Sequence, residues 1–337
     1  MQYLERLQTF FEIAGSMVAD PMSLAILFGS VLLGILFGAM PGLTSTLGVA
    51  LLTALTYSMD TPMAMICLLA IYVGGTYGGS YASILINIPG TAAAAATAMD
   101  GYPLAKKGQG GRAIGLTTTA SAIGTAISML FVVSISPLIS KFALEFTSFE
   151  FFLLAFFGIL ISGTLTAPDL VIKGWIAGFL GLFLACIGRD QLQFFPRFTF
   201  GITELESGIE VVPVLIGAFG IPQIIDVLRA RSQMPKAEKL QRIIPEIGTV
   251  LRNIPAIVRS ALIGVGIGAV PGIGEDIAGW VSYGTAKNTS KHPETFGTGE
   301  LTGVIASETA NNACVGGAMI PLLNLGIPGS PPAAMLL

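Results

Sequence analysis

The sequence GAMPGL at residues 38–43 interrupts an apolar stretch, and a near copy, GAVPGI, does the same at residues 268–273. A second pair follows in the same order, with IPGT at residues 88–91 and IPGS at residues 327–330. Proline removes a backbone donor and glycine allows turns that other residues resist, so each motif predicts a break in an apolar helix. Two motifs in the same order and at nearly equal spacing predict an internal repeat.

The composition of the whole chain excludes a soluble protein. Of its 337 residues, 53% are hydrophobic and only 11% are charged, whereas an ordinary soluble domain carries about 25% charged residues. The 17 basic and 20 acidic side chains are too few to cover a soluble surface of this size. A nucleic-acid binder and a disordered chain are excluded for the same reason, and the expected environment is a lipid bilayer.

Apolar segments and loops divide the chain into five parts. In chain order we predict an interfacial N-terminal helix (1–21), a first transport repeat (22–112), scaffold helices (113–228), a cytoplasmic loop (229–254) and a second transport repeat (255–337). The four scaffold helices are expected at residues 113–135, 149–166, 170–187 and 208–228. The predicted fold is therefore an all-α polytopic membrane protein in which two repeats with discontinuous or re-entrant helices flank a four-helix scaffold. The chain stops nine residues after Pro328, so we expect the second repeat to be incomplete.

Basic residues orient this arrangement. Residues 226–260 contain seven Lys and Arg against three acids, and residues 100–112 contain three against one. Loops rich in Lys and Arg stay in the cytoplasm, so we place both stretches there. Four spanning helices between two cytoplasmic loops is an even number, and the two assignments therefore agree.

The breaks predict a binding site. Non-helical backbone at membrane depth is tolerated only where it is buried in protein or lines an aqueous cavity. Interrupted segments at corresponding places in two halves of a chain indicate a transporter binding site. A helix that starts after Pro-Gly offers unpaired N–H groups to an anion, and opposing carbonyl groups suit a small cation. We therefore expect an anionic solute with a coupling ion; two kinked helices without a ligand are the alternative.

Small polar residues beside the breaks are the candidate substrate ligands. In the first repeat they are Gly42, Thr44, Ser45, Thr46, Asn87, Pro89, Gly90 and Thr91, and in the second they are Gly272, Gly274, Asn311, Asn312, Pro328, Gly329 and Ser330. The anion would lie between the breaks of the two repeats. Peptide groups and neutral side chains would hold it, without a membrane-buried Lys or Arg.

Three acids are candidates for the coupling ion, Na+ or H+. Glu308 lies between apolar runs and shares a helical face with Asn312, and a carboxylate in hydrocarbon marks a functional site by default. Glu275 and Asp276 follow the Pro-Gly break at residues 271–272. The alternatives are a loop carboxylate near the surface for Glu308 and a solvated helix end for the acidic pair.

The sequence lacks the residues that other functional classes require. The sequence contains no Walker A motif, no metal-ligand spacing and no nucleophile–base set within the spans, so we expect neither an enzyme nor a cofactor. The segment YVGGTYG at residues 72–78 is similar to a potassium filter, which leaves an ion or solute channel as the alternative function. A filter is repeated by symmetry around one pore, but this segment occurs once.

Several of these stretches resemble the large membrane subunit of the tripartite tricarboxylate transporters, the TctA family. The matching stretches are Gly38–Leu43, Pro89–Leu104, Gly268–Gly274, Glu308–Ala313 and Pro321–Ser330. The resemblance implies cation-coupled symport of a small carboxylate, with citrate as the default. It also implies a small membrane subunit, a periplasmic binding protein that delivers the substrate, and a multi-pass location in the bacterial inner membrane.

Overall fold

A computed structural model describes residues 2–40, 43–143, 147–150, 170–190, 195–209 and 247–337, together with residues 145, 152, 153, 156, 225 and 243. These residues fall into two compact units. The first contains Met1–Glu145 and Gln223–Leu337, and the second contains Phe146–Pro222. The breaks and all the candidate site residues belong to the first unit.

The described residues are predominantly helical. The helices are α1 (Gln2–Ala19), α2 (Pro21–Ala39), α3 (Ser45–Thr56), α4 (Thr61–Ile86), α5 (Ala95–Lys106), α6 (Gly110–Ala143), α7 (Val171–Ala185), α8 (Ile247–Arg252), α9 (Ile254–Gly268), α10 (Gly274–Thr289), α11 (Leu301–Leu325) and α12 (Pro331–Ala334). Short 3-10 turns occupy Ala92–Ala94, Thr203–Leu205 and Pro293–Thr295. In the second unit, Gly188–Arg189 and Pro196–Arg197 form a two-stranded antiparallel sheet.

The described helices fit the predicted all-α membrane protein. Within the described ranges, α2, α4 and α6 are long and apolar enough to cross a bilayer, while α3, α7 and α9 are shorter apolar helices. Helix α1 covers the predicted N-terminal helix, and α6 is longer than the predicted 113–135. The predicted helices at 149–166 and 208–228 lie outside the described residues, apart from isolated positions. The five-part division stays a prediction, and α6 packs against α11.

The two longest helices of the predicted repeats end in the same way. Helix α4 ends at Asn87, which has φ 57°, and α11 ends at Gly326, which has φ 67°. In each case a proline follows two residues later and prevents the helix from continuing. Asn87 and Gly326 are 239 residues apart, the same offset that relates the IPGT and IPGS motifs.

Helices α2 and α4 pack side by side through glycine. A Cβ atom on Gly34 would collide with the carbonyl oxygen of Ile71, and one on Gly38 would collide with that of Gly75. One turn before Gly34 and Ile71, the hydroxyl of Ser30 lies 3.2 Å from the thiol of Cys67. Because the contacts advance along both helices together, α2 and α4 run parallel.

Helices α9 and α11 make the equivalent contacts. A Cβ atom on Gly264 would collide with the carbonyl oxygen of Ala310, and one on Gly268 would collide with that of Cys314. Gly264 and Gly268 follow the corresponding glycines of α2 by 230 residues, and Ala310 and Cys314 follow their counterparts on α4 by 239. The α9 and α11 pair is therefore parallel too, with matching contacts residue by residue.

We call the predicted repeats, residues 22–112 and 255–337, the first and second halves. In each half the second Pro-Gly break packs against the end of the helix before the first break. A Cβ atom on Gly90 would collide with the carbonyl oxygen of Gly38, and one on Gly329 would collide with that of Gly268. Only glycine at these positions allows the two backbone breaks to approach so closely. The Pro-Gly motifs are therefore packing sites as well as helix interruptions.

The two halves meet along α4 and α11, which run in opposite directions. Ile84 near the end of α4 shares a hydrophobic cluster with Val304 near the start of α11. One turn earlier on α4, Ser80 lies beside Glu308, which is one turn later on α11. These contacts bring the polar middle of α11 against α4.

We expect Gly268→Ala to destabilise the protein and Gly266→Ala to leave it nearly unchanged. The added methyl group of Gly268→Ala would collide with the backbone of α11, whereas a Cβ atom on Gly266, in the same helix, has nothing within 4 Å. Overpacking of this kind costs about 1–3 kcal/mol. Thermal unfolding of the purified protein in detergent measures the difference, and equal midpoints for the two variants would contradict the packing described above.

Candidate functional site

A buried carboxylate lies on α11 in the first unit. Glu308 is about two turns from the start of α11 and is fully buried. Its Oε1 accepts hydrogen bonds from the hydroxyl of Thr97 at 2.5 Å and from the amide of Asn311 at 3.3 Å. Its Oε2 accepts one from the hydroxyl of Ser121 at 3.4 Å. Glu308 is therefore not the loop carboxylate near the surface that we considered as an alternative.

Further polar side chains extend this cluster. The Nδ2 atom of Asn312 lies 2.9 Å from the hydroxyl of Ser121 and 2.6 Å from Oδ1 of Asn311. The hydroxyls of Thr97 and Ser307 lie 2.9 Å apart. We call Thr97, Ser121, Ser307, Glu308, Asn311 and Asn312 the Glu308 cluster; all six are buried.

The Glu308 cluster joins both halves of the first unit. Thr97 belongs to α5 and Ser121 to α6, while the other four residues belong to α11. Asn311 also reaches the turn after the first Pro-Gly-Thr motif, where its amide donates to the carbonyl oxygen of Ala93 at 3.4 Å. Movement of one half against the other would therefore change the surroundings of Glu308.

The electrostatics of the Glu308 cluster favour a bound cation or proton. Among the described residues, no Lys, Arg or His forms an ion pair with Glu308. Its negative charge is balanced only by neutral donors, and burying an unpaired carboxylate is costly. Hydroxyl, amide and carboxylate oxygens are the ligands that a small hard cation prefers. The arrangement can thus hold a proton or a small cation.

A second buried carboxylate lies at the break of the second half. The hydroxyl of Tyr72, on α4, donates to Oε2 of Glu275 at 3.2 Å and lies 2.6 Å from the hydroxyl of Ser330. All three residues are buried. Ser330 also begins α12, where its side chain accepts from the backbone N–H of Ala333 at 3.4 Å. Tyr72 of the first half therefore contacts a residue beside each of the two breaks of the second half.

The two acids of the predicted pair differ in burial. Glu275 is buried, whereas Asp276 is exposed. Both follow Gly272 and Gly274, which have φ values of 79° and 75°. These positive values suit glycine and turn the chain sharply into α10. Burial therefore distinguishes Glu275, which contacts Tyr72, from Asp276, which is exposed at the start of α10.

The candidate residues beside the Pro-Gly breaks differ in burial, and only some of them are brought together. Thr44 begins α3, where its side chain accepts from the backbone N–H of Leu47 at 3.1 Å, and the neighbouring Ser45 and Thr46 are buried. Gly90 and Thr91 are buried, whereas Asn87 and Pro89 are exposed. Gly42 lies outside the described residues. In the second half, Gly329 is buried and Pro328 is partly exposed.

The breaks of the two halves also contact each other reciprocally. Helix α10, after the first break of the second half, packs against the Ala92–Ala94 turn. Helix α3, in the corresponding place of the first half, packs against α12. A Cβ atom on Gly279 would lie 3.1 Å from the carbonyl oxygen of Ala93. In each half, the helix that follows the first break therefore packs against the segment that follows the second break of the other half.

Four residues of these clusters were not predicted. Thr97 lies within the matching stretch at residues 89–104, Tyr72 lies within the filter-like segment, Ser121 lies on an apolar helix, and Ser307 directly precedes Glu308. The filter-like segment is a regular part of α4, so its carbonyl groups do not line a pore as a filter requires. For Ser121 a signal existed, because Thr117, Ser121 and Thr125 form a polar stripe at helical spacing.

Residues 24–337 match the tripartite tricarboxylate transporter TctA family. The chain belongs to this family. Its members are transporter components and not enzymes, which confirms the expectation that the chain has no catalytic role. The family also agrees with a membrane protein, as the apolar helices require.

Two relatives from Agrobacterium vitis are similar to this chain. One is an uncharacterized 52.8 kDa protein in the TAR-I ttuC' 3' region, 36% identical over all 337 residues of this chain and 66% of the relative. The other is an uncharacterized protein in the TAR-II ttuC' 3' region, 46% identical over 70 residues, which cover 21% of this chain and 29% of the relative. The chain thus spans less than two thirds of the length of either relative. No solved structure matches it.

Proposed function

We propose that the chain is part of the large transmembrane subunit of a cation-coupled secondary transporter that imports a small carboxylate in the bacterial inner membrane. The observation that carries this proposal is the Glu308 cluster, in which a buried acid on α11 is bound by α5 and α6. A group that must gain and lose a cation during transport belongs at such a junction between moving parts.

The two halves act as repeats of opposite orientation. In each, a helix runs parallel to a longer one, and the chain breaks at Pro-Gly between them. We interpret α2 with α3, and α9 with α10, as re-entrant hairpins. The antiparallel course of α4 and α11 supports an inverted relation, which gives alternating access when one repeat moves against the other.

The basic residues orient the repeats across the membrane. Lys107 donates to the carbonyl oxygen of Thr298 at 2.7 Å, and Arg259 donates to the hydroxyl of Thr289 at 2.6 Å. These contacts bring Lys107, just after α5, and Arg259 of α9 to the end of α10 and the loop that follows it. By the positive-inside rule this loop lies in the cytoplasm.

The substrate lies where the segments that follow the breaks of the two halves meet. Helices α3 and α10 begin there, and the neutral side chains of Ser45, Thr91, Asn311 and Ser330 are buried. Such groups bind a carboxylate without a Lys or Arg. Glu308 binds the coupling Na+ or H+, and Glu275 is the second candidate. A tricarboxylate such as citrate is the substrate class that the family suggests.

The transporter includes two further proteins. Family membership supports a small membrane subunit and a periplasmic protein that delivers the carboxylate. The exposed apolar faces of α2 and α7 are available for contacts with lipid and with the small subunit.

Uptake by reconstituted vesicles tests this function. The full-length protein, the small subunit and the binding protein would be supplied with labelled di- and tricarboxylates under an imposed Na+ gradient and, separately, an H+ gradient. We expect saturable uptake of at least one carboxylate that depends on one of the gradients. Ion conduction without saturable, gradient-driven uptake would contradict the proposal and favour the channel.

A further inference from the structure

A third buried carboxylate lies outside the clusters described above. Asp100 of α5 is fully buried. Its Oδ1 accepts hydrogen bonds from the backbone N–H groups of Gly297, Gly299 and Glu300, each at 2.8 Å. Its Oδ2 accepts one from the hydroxyl of Tyr283 at 2.9 Å. Four donors saturate this carboxylate, so it has no place for a coupling cation.

The loop at residues 297–300 is shaped for this carboxylate. Gly297 and Gly299 have φ values of 90° and 109°, which residues other than glycine rarely adopt. These backbone conformations turn the N–H groups of the loop toward Asp100. A Cβ atom on Gly303 would collide with Oδ2 of Asp100. The loop leads directly into α11, and a negative charge at the start of a helix is favourable.

Asp100 and Thr97 lie one turn apart on α5, and both bind α11. Asp100 holds the backbone at the start of α11, whereas Thr97 binds Ser307 and Glu308 about two turns further along. Two attachments from one helix fix the position of α11 along its own axis. A shift of α11 would separate Thr97 from Glu308.

We propose that Asp100 is a positioning residue for the Glu308 site. It anchors the first turn of α11 so that Glu308 meets Thr97 of the other half. The proposal rests on the proposed function only in taking Glu308 as the coupling group. Asp100 itself binds neither substrate nor ion.

The test compares Asp100→Ala and Asp100→Asn with Glu294→Gln, which neutralises an exposed acid of the same connection. Hydrogen exchange of residues 297–300 reports the loop, and covalent labelling by a hydrophobic carbodiimide, read by mass spectrometry, reports each buried carboxylate. We expect Asp100→Ala to raise both loop exchange and Glu308 labelling at least about tenfold, because several charge-assisted hydrogen bonds are lost. Asp100→Asn should give a smaller rise, and Glu294→Gln should give none.

Labelling of Glu275 in the same samples is the internal control. A rise at Glu308 with Glu275 unchanged supports positioning, whereas an equal rise at both acids indicates general loosening and overturns the proposal. Faster loop exchange with unchanged Glu308 labelling, or no change in either, would also overturn it. If Asp100→Ala does not fold, Tyr283→Phe removes one of the four bonds and should give the same pattern at smaller size. Neither readout requires transport, so absent uptake by the wild-type protein would contradict the proposed function alone.

Discussion

Glu308→Gln is expected to reduce gradient-driven uptake at least about a hundredfold. The substitution keeps the size of the side chain, but it removes the only charge of the Glu308 cluster and with it the means of binding Na+ or H+. A hundredfold loss corresponds to about 3 kcal/mol, which is the scale of one buried charge-assisted interaction. Initial rates of uptake in vesicles, measured over a range of cation concentrations, would show the effect.

The matched control for this variant is Glu294→Gln. It makes the same chemical change at an exposed acid in the turn before α11, and its uptake should stay within about twofold of the wild-type rate. Glu308→Gln protein that folds, inserts and retains coupled uptake would remove Glu308 from the mechanism.

Glu275→Ala should reduce uptake about tenfold or more, while Asp276→Ala should change it by less than about twofold. Removing the Glu275 side chain takes away the carboxylate to which the buried hydroxyl of Tyr72 donates, and the loss of a hydrogen bond to a charged group costs about 1.5–3 kcal/mol. Asp276 is exposed and makes no such contact in the described residues. The two variants change neighbouring acids of the same helical turn.

The measurement for this pair is the substrate concentration at half-maximal uptake together with the maximal rate, after both variants have been shown to insert equally. Tyr72→Phe provides a check, since it removes the hydroxyl that joins Glu275 and Ser330. Tyr72→Phe should reduce uptake, as Glu275→Ala does. Equal effects of Glu275→Ala and Asp276→Ala would mean that burial does not distinguish the two acids.

The sequence predicted the local features of this structure well. The Pro-Gly motifs locate the ends of helices because proline and glycine act on the backbone of their own residues. The spacing of Glu308 and Asn312 placed both on one face of α11 because helical periodicity is local. The nearly equal offsets between the paired motifs, 230 and 239 residues, likewise predicted that Gly38 and Gly268 occupy corresponding positions.

Contacts between segments that are far apart in the sequence could not be predicted from it. Thr97 and Glu308 are 211 residues apart, and nothing local indicates that α5 and α11 meet. Asp100 looked like an ordinary loop acid beside Lys106, and only the packed structure shows that it is buried. Glu275 and Asp276 are equivalent by composition, so their different burial depends on the turn at Gly272 and Gly274.

The central claim is that two repeats of opposite orientation face opposite sides of the membrane, and residue accessibility tests it most directly. Ser58→Cys, in the exposed loop between α3 and α4, and Lys291→Cys, in the exposed loop after α10, would be introduced singly into protein carrying Cys186→Ser. A membrane-impermeant maleimide would be applied to right-side-out and inside-out vesicles. We predict that Ser58→Cys reacts only from outside and Lys291→Cys only from inside; reaction of both from the same side would contradict the inverted arrangement.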